Sequence, residues 1–414
     1  MPNTIVTPSL IAKEALMQLE NNLVMANQVH REYKKEFQGG QGSTVSIRKP
    51  VKFFTSDGAT RVNQDVEEKT TNIVVDQRKH VSWNFTTQDL TLSIEEYSER
   101  YIKPAAITLA NTVDRALFNL YKNVWNATGT PGTTPSNYAA VATAAQRLDE
   151  MAVMSDMRSM MLNPAAHYAV AGNQTTLEAV GAMGKGAYEE SKVGRVAKFD
   201  VFSTQNVQNH TVGVATGTPL VNGASQQVTY ANAVGTNWSQ TLNTDGWTAS
   251  TTGILRAGDV FTIAGVFAVN PVPGEGATGK TVMPYLQQFT VLADANSGAT
   301  TGPAALTISP PIITTGPFQT VSAAPADNAA ITVLGTGGTA YPQNLGFHKN
   351  AFALVTCPLE MPDGAAFKAR ESHNGLSMRV VKDYDIDNDT DIIRLDILFG
   401  VKAIYPDLAC RLVG

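Results

Sequence analysis

Two cysteines, Cys357 and Cys410, are all that the 414 residues contain. They are too few for a secreted disulfide framework and their spacing fits no zinc pattern, so buried thiols in a protein made in a reducing cytoplasm are expected. A long apolar run is also missing. No segment approaches the roughly 20 residues of a membrane span, and the opening MPNTIVTPSL lacks a basic region followed by an apolar one. The expectation is a soluble protein with no signal peptide and no membrane partner. Basic stripes are lacking as well. With Lys+Arg 31 against Asp+Glu 36 the formal net charge is −5, and no lysine-arginine run would release counterions from a nucleic acid, so strong direct DNA binding is not expected. At this length two or three domains are expected, each able to bury its own core without a metal or disulfide.

Charge of either sign is scarce in one block. Between Thr211 and Ala340 the charged side chains are Asp245, Arg256, Asp259, Glu275, Lys280, Asp294 and Asp327, whereas Tyr341 to Gly414 carries eighteen in 74 residues. The block is rich in Thr, Gly, Ala, Val and Pro, which predicts a β domain, residues 211–340, inserted into a mixed host. Its strand candidates are Val228–Tyr230, Val260–Phe267, Gln288–Leu292, Leu306–Ser309 and Ile331–Val333, short enough and regular enough for a small barrel or sandwich.

The host has an uneven order of elements. Residues 1–38 form a helical arm: Pro8 suits a first helical position, and Ala12, Leu16, Leu19, Leu23 and Ala26 make one apolar stripe. That stripe packs either on its own core or on a neighbouring subunit. Residues 39–90 read as a long hairpin with strands at Val45 and Ile47, at Ile73 and Val75, and at Val81, Trp83 and Phe85. Its middle, with Arg61, Glu67, Glu68 and Lys69, is too hydrophilic for a core and points to solvent or a partner. Within residues 91–127 a helix is predicted from a Ser93 cap to Trp125, with Pro104 as a kink; some thirty residues would span roughly 45 Å. Residues 128–210 hold a helix at Tyr138–Met151, a strand then a helix across Asn163 and Pro164, a further helix near Thr175–Met183 and a strand at Lys198–Ser203. Residues 341–414 return as strands at Asn350–Thr356, Ser377–Ile386 and Asp391–Phe399, with a last extended segment broken at Pro406.

Two motifs suggest ligands. GEGATGKT at Gly274–Thr281 has the spacing of a phosphate-binding loop, with Gly274, Gly279, Lys280 and Thr281 in the key positions. Pro284 falls where the required helix must run, so a chance match in an exposed loop between strands is the preferred reading, and a P-loop nucleotide-binding protein the enzymatic alternative. The alternating acids Asp383, Asp385 and Asp387 resemble a calcium loop, but the glycine that its sharp turn needs is absent, which favours a solvated hairpin turn. The six histidines show no ligand spacing and no GxSxG occurs, so no cofactor, metal or catalytic residue is expected.

A resemblance enters through LNPAAHYAVAG at Leu162–Gly172, AYEESKVGRVAKFDVFSTQNV at Ala187–Val207, TTGILRAGDVFTIAGV at Thr251–Val266 and RLDILFGVKAIYPDLACRL at Arg394–Leu412. With the element order, these resemble the major capsid proteins of tailed bacteriophages with the Hong Kong 97 fold, and more closely the coat proteins of short-tailed Salmonella-type phages with an inserted accessory domain. The resemblance implies an α+β chain with an N-terminal arm, an extended hairpin loop, a long spine helix, a mixed axial domain and an inserted barrel-like domain. It also implies a structural subunit, made in the bacterial cytoplasm, that assembles with itself through pentamers and hexamers into an icosahedral capsid. Partners would be a scaffolding protein and a portal, with DNA enclosed rather than specifically bound. Leu16, Leu19, Leu23, Arg61, Glu67, Glu68 and Lys69 are then the candidate subunit contacts. A β-rich phage tail or adhesin protein is the structural alternative, weakened by the long helix.

Overall fold

The computed structural model describes residues 8–33, 44–64, 68–86, 101–177, 190–272, 280–365, 367–373 and 375–414. The chain forms two compact units, one of Met1–Ser46, Asn72–Phe118 and Phe352–Lys402, the other of Ile47–Thr71, Asn119–Ala351 and Ala403–Gly414.

In the first unit, helix α1 (Pro8–Asn22) begins at the expected proline. It packs on α2 (Lys103–Phe118) and on strands β17 (Phe367–His373) and β18 (Leu376–Asp385). From α2, Ala106, Leu109, Ala110, Val113 and Leu117 are buried at helical spacing. Asp114, on the same helix, is 0% exposed and accepts the Val24 N–H at 2.8 Å and the Ala26 N–H at 3.0 Å. It thereby fixes the 3-10 turn Met25–Asn27 that follows α1. Burial raises the Asp114 pKa and those N–H groups oppose the rise. The sheet runs β16 (Phe352–Thr356), β19 (Thr390–Ala403), β18, β17, and β3 (Gln77–Thr86) also pairs with β19. The β3–β19 register is unbroken from Thr390–Thr86 to Phe399–Gln77.

The described part of the long helix ends earlier than its sequence suggests. The described α-helix has 16 residues, roughly 24 Å at 1.5 Å each, and beyond Phe118 the chain tightens into a 3-10 turn, Asn119–Asn123. Ser93, its expected cap, lies outside the described residues. Pro104 stands in the first turn of the described α-helix, and residues 87–100, where the expected helix begins, lie outside the described residues.

Among the described residues the second unit holds two large sheets. One is ordered β4 (Ala127–Gly129), β20 (Ala409–Val413), β15 (Ala340–His348), β5 (Arg158–Leu162), β7 (Phe199–Ser203), β6 (Arg195–Val196). Helix α3 (Tyr138–Glu150), capped by Asn137 on the Ala140 N–H at 2.9 Å, buries Val141 and Leu148 in a core shared with Met160, Phe199 and Leu412. Helix α4 (Pro164–Leu177) follows β5 across Asn163 and Pro164, as the sequence predicts. Of the next expected helix, Thr175–Leu177 end α4, and 178–183 lie outside the described residues. Strand β8 (Asn209–Thr211) pairs with the start of β15, Thr211 opposite Ala340 and His210 opposite Tyr341. The chain thus leaves this sheet and returns to it at adjacent points.

Between those points lies the other sheet, ordered β14 (Ile331–Val333), β11 (Val260–Val269), β12 (Val282–Val291), β13 (Ala304–Ser309), β10 (Gln240–Trp247), β9 (Gly217–Val221). Its outer strands are themselves linked by a Leu220–Ala330 bridge, and the Val221 N–H donates to Ala329 O at 3.0 Å. Leu242, Phe261, Ile263, Phe289, Leu306 and Ile308 fill its core. The expected strand at Val228–Tyr230 is instead a helix start: the Thr229 hydroxyl accepts the Asn232 N–H, and α5 (Tyr230–Gly235) follows.

Candidate functional site

The candidate subunit contacts divide. Leu16, Leu19 and Leu23 are 4%, 0% and 3% exposed, so the leucine stripe belongs to the core of its own chain and its reading as a subunit contact is corrected. Helical spacing marks an apolar face equally well whichever surface covers it. Arg61 is exposed in the segment before β2 (Lys69–Val74). Glu68 sits 3.7 Å from Arg48, an exposed pair that contributes little. Glu67 lies outside the described residues, and only the backbone of Lys69, at the start of β2, is described.

The phosphate-loop motif joins two antiparallel strands, β11 and β12. Thr281 runs directly into a strand, which removes the helix N-terminus on which such a loop depends. Gly274 and Gly279 are outside the described residues. Lys280 corrects the exposed-loop reading, because it is only 8% exposed. The acidic run is the turn between β18 and β19, where Asp385 accepts the Asp387 N–H at 3.0 Å and the Asn388 side chain at 2.8 Å. Among the described residues no group of three or more such side chains is placed to hold a metal.

Sequence reasoning missed a buried junction between the two sheets of the second unit. The Tyr121 hydroxyl lies 2.9 Å from His210 Nδ1, and His210 Nε2 lies 2.7 Å from Asp259 Oδ1. A carboxylate only accepts, so Nε2 carries a proton toward Asp259, leaving Nδ1 to face the tyrosine hydroxyl. The other Asp259 oxygen accepts the Gly213 and Arg256 N–H groups at 3.0 and 2.6 Å. Arg411, on β20 and 1% exposed, donates Nε to Val124 O at 2.7 Å, one terminal nitrogen to Gly258 O at 2.6 Å and the other to the Thr290 hydroxyl at 3.0 Å. Burial pushes Tyr121 up to about 12 and Arg411 down to about 10. Gln288 exchanges two 2.8 Å hydrogen bonds with the Ala127 backbone. A signal was available in the sequence: Asp259 is a rare charge in a charge-poor block, and Arg411 interrupts an apolar strand.

A second charged site is open. A cleft of about 430 Å³ is lined by Trp125, Trp238 and Phe318 together with Lys49, Lys52 and Lys280. Lys280 donates to Gln319 O at 3.0 Å, and burial, then the nearby Lys52 charge, brings its pKa down to about 7. Lys52 Nζ lies 5.8 Å from the Phe318 ring centre, and Phe318 stacks on Tyr230 at 4.0 Å. Lys49 lies over Tyr405 at 4.8 Å and bonds Ile404 O.

Comparison with known proteins supplies the identity. The family model described as "P22 coat protein - gene protein 5" matches residues 3–414. The chain belongs to the P22 coat protein family. It is therefore a major capsid protein of a tailed phage, a structural subunit of the shell. The coat protein is similar to a solved chain of Mycobacterium phage Che8 at 14% identity, covering 94% of this chain and 90% of that one with a TM-score of 0.48. It is also similar to the mature capsid of bacteriophage PhiM1, at 13% identity over 90% and 82% of the two chains with a TM-score of 0.42. A virus-like particle from Pyrococcus furiosus is matched at 7% identity over 97% and 96%, TM-score 0.36. None of the curated protein sequences matches. On the coat protein, large apolar side chains stay exposed at Phe53 (52%) and Val62 (55%) and, on the acidic turn, at Tyr384 (49%) and Ile386 (81%). Exposed large apolar side chains suit surfaces that become covered on assembly.

Proposed function

We propose that this coat protein assembles with itself, through pentamers and hexamers, into an icosahedral capsid that encloses phage DNA, with the Hong Kong 97 fold as its framework. Membership of the coat protein family over residues 3–414 is the observation that carries the reading. The subunit acts without catalysing a reaction, is made in the bacterial cytoplasm, and takes a scaffolding protein and a portal as assembly partners. DNA is contained rather than gripped, in keeping with a net charge of −5 and with no lysine-arginine run to release its counterions. The segment around Arg61 and Glu68 reaches a neighbouring subunit.

Residues 211–340 are an inserted domain that folds as a closed six-stranded barrel and braces the subunit. Support comes from the Leu220–Ala330 bridge between its outer strands and from the Thr211–Ala340 pair at its ends. Negative-stain microscopy of the purified protein, alone and co-expressed with its neighbouring genes, tests the assembly reading. Closed shells of uniform diameter are expected; monomers or open fibres under both conditions contradict it.

A further inference from the structure

Among the described residues, the lysine-lined cleft holds more positive charge than its walls neutralise. Lys280 is buried, yet among the described residues its ammonium meets a single acceptor, the Gln319 carbonyl. Lys52 rests on the Phe318 face, and the one carboxylate among the lining residues, Asp407, forms no ion pair with Lys52 or Lys280. An ammonium buried beside a second one without an anion is costly. The depressed Lys280 pKa expresses that cost. Apart from Gln287, Gln319, Thr320 and Asn350 the rest of the lining is apolar and aromatic, so the fitting occupant carries a carboxylate beside an apolar side chain.

The β18–β19 turn has that chemistry. Ile386 is 81% exposed at its tip, and aspartates flank it on both sides. Asp385 closes the turn on itself and Asp389 accepts the Tyr384 hydroxyl at 2.8 Å. Asp387 lends only its backbone N–H to the turn, leaving its carboxylate available. We propose that the β18–β19 turn of one coat-protein copy docks in the lysine cleft of a neighbouring copy, with Ile386 entering between the aromatic walls and Asp387 meeting Lys52 and Lys280. The proposal rests on the shell-subunit reading, which brings many copies of both surfaces together. Opposite charge aligns the contact, and the apolar tip excludes water from it.

The test uses full-length chains substituted at exposed or half-buried positions. Ile386→Cys chains are co-assembled with Met154→Cys chains, Met154 being a cleft-lining residue 58% exposed, and the particles are oxidised and run on a non-reducing gel. Disulfide dimers at least tenfold more abundant in mixed particles than in either single-variant particle are expected. A second arm measures the critical concentration for assembly. Lys52→Glu is expected to raise it about tenfold, and Asp387→Lys in the same chain to restore most of the loss. Normal mixed particles without dimers, or dimers equally abundant in single-variant particles, overturn the docking. Failure of the unsubstituted chain to form any particle overturns the shell reading and the docking with it.

Discussion

At the junction Arg411 and Asp259 are each 1% exposed, and all three guanidinium nitrogens and both carboxylate oxygens have protein partners. In the cleft Lys280 is nearly as buried, at 8%, but has one acceptor among the described residues and a second lysine for company. Burial alone therefore does not separate internal wiring from a surface awaiting a partner. Satisfaction does. The junction gains from opposite charges and a full set of hydrogen bonds, while the cleft pays for its lysine until an anion arrives.

The sharpest way to break the contrast is to unpair the junction. Arg411→Met leaves the Asp259 carboxylate buried without its compensating cation and strips a donor from Gly258 and Val124. A loss of roughly 3–5 kcal/mol is expected, read as a lower urea midpoint of the isolated subunit. Gly258→Ala probes the same place more gently. This glycine has φ +107, and an added Cβ would stand 3.1 Å from both the His210 ring and the Lys122 side chain. The expected cost is about 1–3 kcal/mol, checked by the same denaturation curve.

The cleft predicts a smaller effect with a pH signature. Folding lowers the Lys280 pKa from the ordinary 10.5 to about 7. Below about 7 the lysine is charged in both states and the burial penalty is fully present. Between about 7 and 10.5 the unfolded chain holds a proton that the folded subunit lacks, so stability rises with pH through that window. The thermal midpoint of unassembled subunits is expected to climb from pH 7 to pH 9, and Lys280→Met to remove that part of the climb while changing stability little at pH 9. A variant that is markedly less stable at pH 9 would mean that Lys280 is wired in as firmly as Arg411.

What could be read from the residues follows the range of the interactions. Local spacing announces α1, α3 and the strand-to-helix step at Asn163 and Pro164, because periodicity and capping act within a few residues. The partner of the leucine stripe was not legible, since an apolar face looks the same whether its own chain or another covers it. Strand β10, QTLNTDGW, escaped notice because Asn, Asp and Gly are poor strand formers and its burial comes from tertiary pairing with β13 and β9. Tyr230 sits in a helix because Thr229 caps it, and that local hydrogen bond outweighed the β-branched run before it. The junction joins Tyr121, His210, Asp259 and Arg411, positions up to 290 apart in the chain, and no spacing rule reaches that far.

An electron cryomicroscopy reconstruction of assembled particles, at a resolution that shows side chains, tests the central claim most directly. The account predicts a closed shell in which the Tyr121–His210–Asp259–Arg411 junction is the same in every copy, whereas the Lys52–Lys280 cleft is covered by a neighbour. A junction that differs from copy to copy, or a cleft left open to solvent in every copy, would contradict it.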